Sequence, residues 1–171
     1  YLQKMRTVPF YQSLMMVAAV IIVAKLFLWD IPSWHLTPNW RFGANLWIDS
    51  GIRPDYPWLD CGMRLLDFGA IIAAFVFAWH ALARKPDSRA YASGFGVASV
   101  GLFFIFTSLE LNTMLAYFIP GLRAGGISIL WSLFALAFIL SGILRNQRLA
   151  RYAGLTLFAI VSAKVIFSDL E

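Results

Sequence analysis

Five long apolar segments constrain what this chain can fold into more than any other feature. They occupy residues 8–29, 62–83, 92–118, 125–144 and 149–167. A helix of about 20 residues crosses the roughly 30 Å hydrocarbon core of a bilayer. None of the segments alternates with the period of two that a membrane barrel requires, and helices are the other structure that satisfies every backbone group in lipid. The sequence therefore predicts an all-α, polytopic transmembrane helical bundle with five spanning helices and one outer interfacial loop.

Composition excludes most other protein classes. Hydrophobic residues make up 60% of the chain and charged residues 13%, whereas a soluble domain carries about 25% charged residues. Disordered chains and soluble globular domains are therefore excluded. Cys61 is the single cysteine, so an intrachain disulfide cannot form, and His35 and His80 are the only other soft or borderline ligands that zinc could use. We expect no metal site, no cofactor and no catalytic residues.

The basic residues are distributed as membrane topology requires. One side of the membrane receives eight of them: Lys4, Arg6, Arg84, Lys85, Arg89, Arg145, Arg148 and Arg151. The loops on the other side hold Arg41, Arg53 and Arg123, together with most of the acidic residues. The sequence predicts a multi-pass protein of the bacterial inner (cytoplasmic) membrane, with a cytoplasmic N-terminus and a periplasmic C-terminus for this segment. The net charge of +5 is explained by topology, and nucleic acid is not expected as a partner.

The ends and the longest loop add to this organisation. The chain begins at Tyr1 and ends at Glu171, directly after an apolar segment. We interpret residues 1–171 as one membrane-embedded region and as a piece of a longer chain. Residues 30–61 form the outer loop, which is rich in aromatic residues that settle at headgroup depth: Trp34, Trp40, Trp47, Tyr56 and Trp58. This loop is either an interfacial connector or a lid over a binding cavity.

A weak internal repeat marks the ends of the first and fifth apolar segments. Lys25 precedes Asp30 by five residues, and Lys164 precedes Asp169 by the same spacing. Neighbours on an α-helix are three or four residues apart, so this spacing does not predict a salt bridge within one helix. One interpretation is that any outgoing helix can end with a snorkelling lysine and an interfacial aspartate. The other is an internal repeat whose unit is four helices long.

The C-terminal part carries further motifs. They are Ser128-x-x-Trp131, Arg151-x-x-Gly154 and Lys164 followed by Asp169-Leu170. On these motifs, mainly over residues 101–171, the chain resembles a bacterial family of predicted polytopic membrane proteins catalogued as domain of unknown function 2339. The resemblance implies an inner-membrane protein with many helices in tandem and no established activity, and it carries over no catalytic residues.

Ionisable side chains within the spanning segments are the strongest functional indicators, because lipid makes them costly. They are Lys25, Asp67, Glu110 and Lys164, with Arg64 one turn from Asp67. All are predicted to lie toward the outer ends of their helices. Each side chain either snorkels separately to the interface, or all of them form one polar cluster between helices. Such a cluster suits ion pairing and the binding of an anionic head group equally well.

Two smaller features are interpreted structurally. His80, beside Trp79, is expected to be an interfacial histidine rather than a proton relay. The third segment has a face of small residues, including Gly94, Ala98 and Gly101, which predicts close packing against another helix. On the same segment we expect lipid to meet three phenylalanines: Phe103, Phe104 and Phe106.

Three functions fit the sequence. The first is a non-enzymatic membrane scaffold or complex subunit whose partners are membrane lipids and helices of the same or other chains. The second is a transporter or lipid-handling protein that uses the outer polar cluster. The third is an envelope enzyme that acts on lipid-linked substrates.

Overall fold

The computed structural model describes residues 2–31, 56, 58–84 and 88–169. Within these ranges the chain forms five long helices and no strand. They are α1 (Leu2–Lys25), α2 (Trp58–Ala83), α3 (Arg89–Phe118), α4 (Arg123–Leu144) and α5 (Arg148–Lys164). The prediction of an all-α fold is confirmed. The loop tryptophans Trp34, Trp40 and Trp47 lie outside the described residues.

Three short helical segments continue or join these helices. A π-helical turn, Leu26–Asp30, extends α1, and a second, Val165–Asp169, extends α5. They are called the first and second π turns below. A 3₁₀ turn, Pro120–Leu122, leads into α4.

Five helices in the described part of the chain are long and apolar enough to cross a membrane, which confirms the predicted number. The spans are Gln12–Asp30, Trp58–Ala83, Arg89–Phe118, Pro120–Leu144 and Arg148–Phe167. Between 11% and 22% of the most apolar window of each span is buried by the chain itself. Most of the apolar surface is therefore left for lipid or for other helices, as expected of a membrane protein.

A tight reversal connects α4 to α5. Asn146 has a φ of 51°, in the left-handed region that asparagine tolerates better than most residues. The Gln147 N–H donates to the Gly142 carbonyl at 2.9 Å, and the Asn146 N–H donates to the Ile143 carbonyl at 3.2 Å. These are the two bonds of a Schellman motif, which satisfies the last carbonyls of a helix. The motif turns the chain back, so that α4 and α5 form a helical hairpin.

The described residues fall into two compact units. The first comprises residues 2–31, 58–84 and 88–103, and the second comprises residues 56 and 104–169. In the first unit, Phe75 of α2 packs edge-to-face on Phe95 of α3, with ring centroids 5.5 Å apart. In the second, Phe104 packs edge-to-face on Phe134 of α4 at 5.0 Å. Aromatic contacts of this geometry add stability beyond the area that they bury.

Candidate functional site

The first π turn places Lys25 against Asp30. Lys25 Nζ donates to the two carboxylate oxygens of Asp30 at 2.9 and 2.8 Å. The Asp30 side chain is 13% exposed and that of Lys25 63%. The sequence did not predict this ion pair, because residues five apart do not face each other on an α-helix. A π-helix bonds residue i to residue i+5, so one such turn brings the two side chains together.

The second Lys-x-x-x-x-Asp element forms the same backbone structure. The second π turn begins directly after Lys164 and ends at Asp169. Lys164 Nζ reaches across the hairpin to α4, where it donates to Ser128 Oγ at 2.9 Å and to the Ala124 carbonyl at 3.2 Å. The repeated sequence therefore corresponds to a repeated local structure. The internal repeat itself stays a prediction.

Glu110 is buried near the C-terminal end of α3. The hydroxyl of Tyr56 donates a hydrogen bond to Glu110 Oε1. Tyr56 is itself buried, and its ring packs against Tyr117 and Phe118 with centroid distances of 5.4 Å in both cases. Sequence reasoning grouped Tyr56 with the interfacial aromatics and missed this contact. The available signal was Glu110 itself, since a carboxylate in an apolar run requires a donor.

In the second unit, two side-chain hydrogen bonds join α3 to α4. Arg123 Nε donates to Asn112 Oδ1 at 2.9 Å. Trp131 Nε1 donates to Ser108 Oγ at 3.0 Å. Trp131 belongs to the Ser-x-x-Trp motif, and this bond gives the indole of that motif a structural role. Interhelical bonds of this kind hold membrane helices in register.

Arg64 and Asp67 lie one turn apart on α2, in the first unit. Arg64 is buried and Asp67 is half-buried. The Asp67 carboxylate is within electrostatic range of Lys25. Lys25, Arg64 and Asp67 thus belong to the first unit, while Glu110 and Lys164 belong to the second. The five-residue polar cluster as a whole stays a prediction.

The Arg-x-x-Gly motif lies in a tightly packed part of the contact between α4 and α5. A Cβ added to Gly154 would lie 2.8 Å from the Ala135 carbonyl oxygen and 2.7 Å from Ile139 Cγ1. A Cβ added to Gly142 would lie 2.5 Å from Arg151 Cγ. Because both glycines are buried against the facing helix, only a hydrogen fits at these positions. The motif residues Arg151 and Gly154 therefore serve helix packing.

The small residues of α3 were predicted to pack closely against another helix, and the structure agrees with this only in part. A Cβ added to Gly94 or Gly101 would meet nothing within 4 Å in the described chain. Gly96, by contrast, packs on Trp79 of α2, where an added Cβ would lie 3.4 Å from the indole. Phe106 is buried, so the prediction that lipid meets it was wrong, whereas Phe103 is 48% exposed as expected. Phe104 is half-buried and its ring contacts that of Trp131, with centroids 5.6 Å apart. The buried face of α3 takes the large aromatics, which have more apolar area to bury than glycine.

Histidine and cysteine do not form a metal centre in the described ranges. His80 is exposed and its ring contacts that of Trp79 at 4.8 Å, which fits an interfacial position. Cys61, the single cysteine of the chain, is half-buried near the start of α2. Among the residues that the structure places, no three of His, Cys, Asp and Glu converge as metal ligands.

These features define a polytopic helical membrane protein in which polar side chains of the spans form hydrogen bonds within the same chain. A family model matches residues 2–171, and that family is described as a predicted membrane protein (DUF2339). The chain belongs to this family, which confirms the resemblance and extends it from the C-terminal part to α1. Comparisons with curated proteins and with solved structures find no match.

Proposed function

We propose that this chain is a non-enzymatic membrane scaffold or complex subunit, whose outer helical faces pack against transmembrane helices of the same or other chains. The proposal rests on which groups the polar side chains within the spans bond to. Lys25 donates hydrogen bonds to Asp30, and Glu110 accepts one from Tyr56. Lys164 donates hydrogen bonds to Ser128 Oγ and to the Ala124 carbonyl. A transporter places such groups along an aqueous path. Here they fix the chain's own turns and helix contacts.

The outward surfaces support the same proposal. Among the described residues, nothing lies within 4 Å of a Cβ added to Gly94 or Gly101 of α3. Small residues allow two helix backbones to approach closely in lipid. Each span also leaves most of its apolar window uncovered by the chain itself. A partner helix on α3 would gain close van der Waals contact there, which is the main attraction between helices in a membrane.

The test is the mass of the native particle. The chain is extracted from its membrane directly into polymer-bounded lipid discs, without detergent, and the protein mass of each disc is measured by light scattering. If the partner helices belong to other chains, the protein mass of a disc exceeds that of one copy of the native chain. A disc that contains one copy and no other protein contradicts packing against other chains.

The proposed location is the bacterial inner membrane, with the N-terminus in the cytoplasm and the C-terminus of this segment in the periplasm. The asymmetry of the basic residues supports this orientation. Arg145 and Arg148, at the hairpin between α4 and α5, are exposed, as expected of residues at a cytoplasmic membrane surface.

A further inference from the structure

Three arginines lie at the turn of the hairpin that α4 and α5 form. Arg145 caps the end of α4, and Arg148 and Arg151 lie in the first turn of α5. Arg145 and Arg148 are exposed and Arg151 is half-buried. These three residues are called the arginine cluster below. Since the sequence has no Asp or Glu at positions 111–168, neither helix of the hairpin carries a carboxylate.

The described carboxylates of the second unit lie toward the other end of the hairpin. Asp169 ends the second π turn, about 30 Å along the helix axis from Arg148. Glu110 lies two residues from Asn112, which bonds Arg123 at the start of α4. Among the residues that the structure describes, the guanidinium groups of the arginine cluster form no hydrogen bond and no ion pair. Their positive charge is therefore not neutralised by the described chain.

The turn between the helices fixes the spacing of the cluster. Arg145 and Arg148 are three residues apart, so their Cα atoms lie at most about 11 Å from each other. Arg148 and Arg151 are also three residues apart, on α5, and therefore share one face of that helix. The stem of Arg151 packs on α4, where a Cβ added to Gly142 would lie 2.5 Å from Arg151 Cγ. The fold thus holds three cations close together at one end of the hairpin.

Apolar side chains on both sides of the turn set its depth in the membrane. The span of α4 ends at Leu144 and that of α5 begins at Arg148, so only residues 145–147 separate them. Leu144 is 84% exposed and Leu149 is 76% exposed. Leucines this exposed require hydrocarbon around them, and they keep the turn from projecting into bulk water. The arginine cluster therefore lies at the depth of the lipid headgroups.

We propose that the arginine cluster binds the phosphates of anionic phospholipids, with Leu144 and Leu149 against the adjacent acyl chains. A guanidinium group binds phosphate oxygens through two parallel N–H donors. A zwitterionic lipid carries its own ammonium beside the phosphate, so the cluster favours a lipid of net negative charge. A water-soluble acidic partner fits less well, because it leaves the two leucines without hydrocarbon. The proposal is independent of the scaffold function, since a lipid binds whether or not a partner protein is present.

Native mass spectrometry of the purified protein measures this preference. Phosphatidylglycerol and phosphatidylcholine with identical acyl chains are titrated separately, and the ratio of their affinities is compared among variants. Arg148→Gln should lower the ratio about fivefold, the effect of one cation near a membrane surface. The matched control is Arg89→Gln, because Arg89 is also exposed and also begins a helix. It lies outside the cluster, two residues from Asp87 in the sequence, and its substitution should leave the ratio unchanged.

Two further variants keep the test decisive if Arg148→Gln does not fold. Arg148→Lys retains the charge and should retain the preference, and Arg145→Gln should lower the ratio about as much as Arg148→Gln. Helical content and the unfolding temperature are measured for every variant, so that a loss of fold is recognised. A loss with Arg148→Lys as large as with Arg148→Gln would contradict recognition by charge.

Three results would overturn the proposal. The first is equal affinity of the two lipids for the unmodified protein. The second is an equal loss of preference with Arg148→Gln and Arg89→Gln, which would indicate general attraction to a charged surface rather than a site at the hairpin. The third is displacement of phosphatidylglycerol by polyglutamate or by free glycerol phosphate, which would show a site for a water-soluble anion.

Discussion

Lys25 and Asp30 are joined by an ion pair that depends on a change of helix type between them. The α-helix of α1 ends at Lys25, and the next five residues form a π turn. That turn carries the Asp30 carboxylate to 2.8 Å from Lys25 Nζ. A continued α-helix would separate the two side chains around the helix axis. The ion pair and the π turn therefore depend on each other.

The first prediction concerns this mutual dependence. Asp30→Asn should destabilise the protein more than Asp67→Asn, because Asp30 bonds Lys25 directly whereas Asp67 acts on it over a longer distance. A double-mutant cycle of Asp30→Asn with Lys25→Gln should give a small but favourable coupling free energy, because solvent screens a pair of which one partner is exposed. The measurement is reversible unfolding in mixed micelles. Strictly additive effects of the two substitutions would show that the pair contributes nothing.

The second prediction concerns the buried bond between Tyr56 and Glu110. Tyr56→Phe removes one hydroxyl and deprives a buried carboxylate of a donor, which should cost about 1–3 kcal/mol. Tyr152→Phe is the matched control, because Tyr152 is 68% exposed and its hydroxyl can bond to solvent or to lipid headgroups. The free energies of unfolding of the two variants are compared. Similar small losses in both would argue against the hydrogen bond.

The hydrogen bond between Tyr56 and Glu110 also predicts how strongly substitutions of Glu110 destabilise the protein. Glu110→Ala should be more destabilising than Asp87→Ala in the loop between α2 and α3, because it removes the acceptor of a buried tyrosine hydroxyl. Glu110→Gln keeps an acceptor oxygen and should lose less than Glu110→Ala. The unfolding temperatures of the three variants give this order directly, and a different order would contradict it.

The third prediction concerns the hairpin of α4 and α5. Gly154→Ala forces a methyl group to within 2.8 Å of the Ala135 carbonyl oxygen, and overpacking of this kind costs about 1–3 kcal/mol. Gly69→Ala is the control, since nothing lies within 4 Å of a Cβ there. That substitution should be neutral or stabilising by about 0.5–1 kcal/mol, because alanine favours a helix more than glycine does. If Gly154→Ala were as stable as Gly69→Ala, the close approach of the two helices would be wrong.

The fourth prediction concerns topology. In a Cys61→Ala background, Asp49→Cys should react with a membrane-impermeant thiol reagent added to intact spheroplasts. Asp87→Cys should react only after the membrane is permeabilised, because its loop carries three of the basic residues assigned to the cytoplasm. Labelling of position 87 in intact spheroplasts would reverse the proposed orientation.

The helices could be predicted from the sequence because a helix that spans lipid must be about 20 residues long and almost entirely apolar. Each of the five spans coincides with an apolar run, and the end of α3 near Pro120 follows from the missing N–H of proline. The family motifs around Trp131 and Gly154 were also recognisable. The roles of these residues could not be predicted, because a motif gives residue types but not the residue that each one contacts on a neighbouring helix.

The side-chain contacts were harder to predict for a specific physical reason. The bond between Tyr56 and Glu110 joins residues that are 54 positions apart, so no local period records it. The ion pair of Lys25 was hidden by the assumption of regular α-helix, under which a spacing of five residues carries no contact. Phe106 was assigned to lipid together with Phe103 because hydrophobicity alone does not say which apolar face a helix buries within its own chain.

The central claim, that this chain packs against partner helices, is tested most directly by the native particle mass of two variants at one position. Gly101→Ala keeps the face of α3 small and should leave the protein mass of detergent-free lipid discs unchanged. Gly101→Leu should hold helix backbones apart and shift the discs to the mass of the chain alone, with its own helical content retained. Discs of unchanged mass in both variants would contradict packing through this face, and a single-chain mass for the unmodified protein would contradict packing against other chains altogether.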